Sequence, residues 1–135
     1  MNIVTLSLLI LCYSLVLGII FAQVLLTAPV VFKVLDNQNA SNFLRKIFPR
    51  YYLLLFLITL IALLVSYLFF QQADVYFALT AVCFSFLGYI IIPLTNAARD
   101  RGWERIFKFF HNFSVFNTLI ILVISITQIV RVTYL

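Results

Sequence analysis

Nine polar side chains stand inside or at the ends of otherwise apolar segments: Gln23 and Thr27, Arg50 and Tyr51, Thr95 and Asn96, and His111, Ser114 and Asn117. His111 is the only histidine of the chain, and an imidazole with an unperturbed pKa of about 6.5 can hold or pass a proton near neutrality. Amides and hydroxyls beside it would bind a carbonyl, and arginines nearby would favour an anion. Polar groups inside a membrane are expensive, and by default they mark a site. The plainer reading is solvation among headgroups, which suits Arg50, Asn96 and His111 at segment ends. It suits Gln23 and Asn117 less well, because they lie one or two helical turns deeper. Gln23, Arg50, Asn96, Arg99, His111, Ser114 and Asn117 are therefore the expected ligand-binding set, as one cavity of amides and imidazole ringed by Arg50 and Arg99.

Unaided catalysis fits poorly. Acid–base chemistry needs two titratable groups in one pocket, and the only acids, Asp36, Asp74, Asp100 and Glu104, read as residues of the connections. A zinc site needs three or four His, Cys or carboxylate ligands. Cys12 and Cys83 both lie in apolar segments, where cysteine behaves as a small packing residue.

The elements that must position these residues follow from composition. Of 135 residues, 65% are hydrophobic and 10% charged, whereas a soluble domain has about 25% charged residues. Residues 1–32, 51–73, 75–98 and 109–130 contain no Asp, Glu, Lys or Arg. Each window is longer than the roughly 20 residues a helix needs to cross a bilayer. The first has no basic start and is too long for a signal peptide, so it is expected to be a retained span. Helices are the expected form, because a membrane segment must satisfy its own backbone. The expected architecture is all-α: one domain over 1–135, an antiparallel four-helix bundle with spans near 4–32, 50–70, 75–96 and 107–132. Pro29 is expected to kink or end the first span.

The first connection, "DNQNASNFLRKIFPR" (36–50), is expected to hold a short interfacial helix capped by Ser41, with Phe43, Leu44, Ile47 and Phe48 toward lipid. "QQAD" (71–74) is a tight link. Lys33, Arg45, Lys46 and Arg50 flank the first connection and Arg99, Arg101, Arg105 and Lys108 the third, against Arg131 alone on the other side. The positive-inside rule then places both long connections in the cytoplasm and both termini outside, in the cell (inner) membrane. These cations suit anionic lipid headgroups, and nucleic acid is not an expected partner.

Small residues mark where membrane helices approach one another. Gly18 and Ala22 (with Ser14) in the first span and Ala81, Ser85 and Gly88 (with Ala78) in the third are the expected packing positions. Thr59, Ala62 and Ser66 in the second and Ser114, Thr118 and Ser125 in the fourth extend the pattern.

"LLTAPVVFKVLD", "IFPRYY", "IPLTNAARD" and "FKFFHNFSVFN" together resemble the transmembrane protein 205-like family of small four-span membrane proteins, from about Gly18 to Asn117. The marks are Pro29; Phe48, Pro49 and Tyr51; Pro93 with Asn96; and His111 with Ser114 and Asn117. The resemblance implies the fold and topology and leaves the activity open. A more distant likeness runs to copper-resistance membrane proteins and to haem-binding bacterial protoporphyrinogen oxidase. That haem protein's pattern implies a histidine in the first span, and this chain has none.

Three functions stay open at this point. One is a small-molecule-binding or permease-like protein using the polar cluster. The second is an accessory subunit of a larger membrane complex or homo-oligomer. The third is a copper- or tetrapyrrole-handling protein. No cofactor is required by the residues, although haem and copper are compatible with the third.

Overall fold

The computed structural model describes residues 3–134. Four helices, each long and apolar enough to cross a membrane, make up the chain: α1 (Ile3–Val34), α2 (Asn37–Phe69), α3 (Gln72–Asp100) and α4 (Glu104–Thr133). No strand occurs among the described residues. With connections this short, consecutive helices run antiparallel. α1 and α3 occupy opposite corners, and α2 and α4 each pack against both of them. The result is a helical bundle, and the protein is a multi-pass membrane protein. One end carries the basic connections; the other carries both termini and the link at Phe70 and Gln71.

The turns follow from local chemistry. The Asp36 carboxylate accepts from the Asn39 backbone N–H at 2.8 Å and caps α2. α3 ends at Gly102, whose φ of 67° is the left-handed geometry that glycine adopts without strain. There the Gly102 N–H donates to the Arg99 carbonyl and the Trp103 N–H to the Ala98 carbonyl, at 3.1 and 3.0 Å. These two bonds satisfy carbonyls that the helix end would otherwise leave open. Across the basic end Arg45 donates to Asp100, and the guanidinium holds that exposed carboxylate below its usual range.

The first connection corrects two expectations. There is no separate interfacial helix capped by Ser41; a single 33-residue helix begins at Asn37 and passes through Pro49. Proline removes one backbone bond, but packing holds the helix on both sides of it, with Ala40 and Leu44 buried before Pro49 and Tyr51, Tyr52 and Leu55 after. Leu44 does not face lipid either. With Ala40 it packs on Val31 of α1, and Ile47 and Phe48 lie against the same cluster. Phe43 alone of that group is exposed.

α3 turns its small residues inward as expected: Ala78, Ala81, Ser85 and Gly88 are buried. The Tyr52 ring lies directly on Gly88, so that a Cβ built there would overlap it. The Thr59 and Ser85 hydroxyls meet at 3.1 Å between α2 and α3. α1 behaves otherwise. Ser14, Gly18 and Ala22 are exposed, and nothing lies within 4 Å of a Cβ built on Gly18. The buried face of α1 is Leu9, Cys12, Tyr13, Val16 and Ile20, larger residues that fill the space beside Ala62 and around Leu55 and Ile121. Gly18→Leu should therefore leave the thermal midpoint of the detergent-purified protein within about 0.5 kcal/mol of the parent, as at other open positions. A large loss would mean that a further helix covers this face.

Candidate functional site

The feature that shapes the basic end is a break of register in α1. Residues Ala22–Thr27 form a π-helical segment, closed by the Ala28 N–H donating to the Gln23 carbonyl. The Thr27 hydroxyl, at 3.3 Å from the Ala22 carbonyl, spans the same wide turn. Pro29 follows within two residues and supplies no N–H of its own, which removes one backbone bond from the turn beside the π-segment. π-turns and prolines are the usual places where helices change direction. Up to Phe21, α1 packs on both α2 and α4; among the described residues, no Cα of 22–34 comes within 8 Å of α4. Pro29 does not end the helix, which continues to Val34.

The divergence leaves a cavity of about 490 Å³, well within the range of small-molecule sites. All four helices contribute to it. Gln23 comes from the π-turn, Tyr51 and Tyr52 from α2, Thr95 from α3, and His111, Ser114 and Thr118 from α4; the remaining wall is apolar. Not one Lys, Arg, Asp or Glu lines it. Tyr52 crosses the diagonal from α2 to α4, its hydroxyl 2.8 Å from Ser114 Oγ and 2.9 Å from Thr118 Oγ1. Gln23 is 8% exposed, and its Nε2 has no hydrogen-bond partner among the described residues. His111 is exposed at the margin, its ring stacked on Phe107 at 6.0 Å and 16°.

Of the expected set, the fold brings Gln23, His111 and Ser114 together. Asn117 is fully buried and turned elsewhere: its Nδ2 donates to the Phe84 carbonyl at 2.7 Å and ties α4 to α3. Asn96 lines a second hollow with Pro49, Tyr89 and Pro93. Arg50 is exposed. Arg99 lies over the Phe107 ring at 5.6 Å. Neither arginine lines the main cavity, so the expected ring of cations is not formed there. Azimuth was not readable: Ser114 and Asn117 are three residues apart and face different neighbours. Tyr52, absent from the expected set, is the residue that joins the cavity's hydroxyls. Its only signal was its place in "RYY" at the start of a charge-free window.

A second polar group lies toward the other end. Asp74, expected in a connection, is the third residue of α3 and 0% exposed. Arg131 Nε donates to its Oδ1 at 3.3 Å, and Gln128 Nε2 donates to its backbone carbonyl at 3.0 Å. Arg131 also lies over the Phe77 ring at 5.7 Å. The Ser66 hydroxyl and Asp74 Oδ2 are buried without partners among the described residues, and the Tyr13 hydroxyl lies beside the Gln128 side chain. These contacts fasten the start of α3 to the end of α4. Among the described residues, no three His, Cys, Asp or Glu side chains are grouped as metal ligands.

Neither a curated protein nor a solved structure matches the chain. A family model does, over residues 11–104, a stretch that includes Gln23, Tyr51, Tyr52 and Thr95 and stops before His111, Ser114 and Thr118 on α4. By that match, which spans most of its length, the chain belongs to the family described as Domain of unknown function (DUF4149).

Proposed function

We propose that this protein binds a small molecule, in a carrier or permease-like role, in the cavity between the π-turn of α1 and α4. The observation that carries the reading is the Gln23 amide, buried at the cavity wall with Nε2 unpartnered. A buried donor left without an acceptor costs about 1–3 kcal/mol, and a bound acceptor would recover that cost. A helix that served packing alone would gain nothing from placing a glutamine there. Protein purified in mild detergent should retain a small molecule detectable by native mass spectrometry, and Gln23→Leu, which conserves volume, should lose it. Equal retention by the variant would remove Gln23 from the site.

The basic end faces the cytoplasm in this reading, with both termini on the outer side of the cell membrane. Eight of the nine Lys and Arg residues flank the two long connections, where they would meet anionic headgroups. The likeness of "IFPRYY" and "IPLTNAARD" to the transmembrane protein 205-like family supports the same topology. In a chain freed of Cys12 and Cys83, Asn39→Cys, Gln71→Cys and Arg101→Cys should differ in intact cells. Only the cysteine at position 71 should react with an impermeant thiol reagent, and labelling at 39 or 101 would reverse the orientation.

One observation favours a second reading, that of a subunit in a homo-oligomer or larger complex. Ser14, Gly18 and Ala22 form an exposed small-residue row on α1, the kind of face on which another membrane helix packs closely. A discrete assembly on native gels that Gly18→Leu dissolves would support it.

A further inference from the structure

The cavity's chemistry narrows what it can hold. We infer, building on the binding role proposed above, that its ligand is a neutral amphipathic carbonyl compound, an ester or ketone on a hydrocarbon body, admitted sideways from the bilayer between α1 and α4. Three independent features lead there.

The first is charge. The lining has no Lys, Arg, Asp or Glu. Burying an ion without a paired countercharge is far more costly than burying a hydrogen-bonded neutral group. Neither Arg50 nor Arg99 lines the cavity, and His111, the one lining residue able to carry a positive charge, stands exposed at its margin, so the buried part of the wall holds no countercharge for a carboxylate or a phosphate.

The second is hydrogen bonding. The hydroxyls of Tyr52, Ser114 and Thr118 already bond one another. Of the buried polar atoms without a partner, only Gln23 Nε2 belongs to a residue of the lining, and a turn of that side chain would bring it to a ligand. An amide nitrogen is a donor alone, so the missing group is an acceptor. A carbonyl is the neutral acceptor that brings no surplus donor into an apolar wall.

The third is the way in. The opening lies where α1 leaves α4 at the π-turn. Its edges are Phe21, Val24 and Leu25 on α1 and Val115 and Leu119 on α4, all exposed and all apolar. These residues belong to the charge-free windows of their helices, so the opening faces hydrocarbon rather than water. A molecule already dissolved in the bilayer reaches it without crossing an aqueous phase. The hydroxyl group and Gln23 then sit beyond an apolar rim, which matches a polar head leading a hydrocarbon tail.

The test uses the full chain in lipid nanodiscs, with empty nanodiscs as background, and three radiolabelled probes of equal chain length: methyl dodecanoate, dodecanoate and dodecane. Methyl dodecanoate should bind saturably and roughly tenfold more tightly than either of the others, the effect of one hydrogen bond made in an apolar site. Gln23→Leu should abolish the preference for the ester over dodecane while leaving dodecane binding in place. Val115→Trp, at the rim, should slow ester association at least about tenfold with thermal stability unchanged, since Val115 is 49% exposed. Tighter binding of dodecanoate would overturn the neutral assignment, and an unchanged association rate in Val115→Trp would overturn the sideways route. If the ester does not bind saturably but another molecule still co-purifies, the ligand class is wrong and the binding role stands. If neither probe nor co-purified molecule is found, both fall.

Discussion

Arg131→Met should destabilise the bundle by about 3 kcal/mol, because removing one partner of a buried ion pair leaves the other charge uncompensated. Asp74 is 0% exposed and Arg131 is its only ion-pair partner among the described residues, at 3.3 Å. The other carboxylate oxygen, Oδ2, has no partner among the described residues to share the burden. Arg131 itself is 34% exposed on its side chain, so the pair is partly screened and the figure belongs at the low end of the range for buried pairs, about 3–5 kcal/mol. The double variant Asp74→Asn with Arg131→Met removes both charges and should recover most of the loss. Denaturation midpoints in mixed detergent micelles measure both. Equal instability of the single and double variants would mean that the Arg131 guanidinium over the Phe77 ring, and not the ion pair with Asp74, holds this end.

The second large effect is expected at Gly88. Gly88→Ala should cost about 1–3 kcal/mol, the usual range for overpacking a filled interior. The Tyr52 ring occupies the place of the new methyl group. That ring is not the free end of a flexible side chain: it is 1% exposed, and its hydroxyl is bonded to Ser114 and Thr118 on α4. Moving it either breaks those bonds or pushes α3 away from α2. The same displacement would deform the cavity, since Tyr52 forms part of its wall. In a Tyr52→Leu background the Gly88→Ala penalty should shrink to within about 0.5 kcal/mol of zero, the mark of coupling between touching residues. An unchanged penalty would place the clash in the backbone of α2.

Gly18 and Gly88 show the limit of reading packing from residue size. Both belong to rows of small residues at helical spacing, and both rows are consistent with a close helix–helix contact. Gly88 lies under Tyr52, whereas a Cβ built on Gly18 meets nothing within 4 Å among the described residues. A small face permits close approach, but it does not supply the neighbour. Which helix faces which is a matter of the bundle's order, and that order places α1 against the far sides of α2 and α4. The polar residues at the basic end divide for the same reason. Gln23, Ser114 and His111 line one cavity, whereas Asn117, on the adjacent face of α4, finds the Phe84 carbonyl.

Charge-free windows longer than a bilayer is thick determined, by themselves, that the chain has four helical spans, because an unpaired backbone or side-chain charge in hydrocarbon is too costly to persist. Tertiary structure alone decided three things. It carried α2 unbroken through Pro49, since burial on both sides outweighs one missing hydrogen bond. It drew Asp74 out of the connection and into the core, since Arg131 sits one helix away on α4. It opened the cavity, since the wide turn at Ala22–Thr27 swings α1 clear of α4. Each of these depends on contacts between residues far apart in the chain, and a one-dimensional pattern of polarity holds no record of which distant faces will meet.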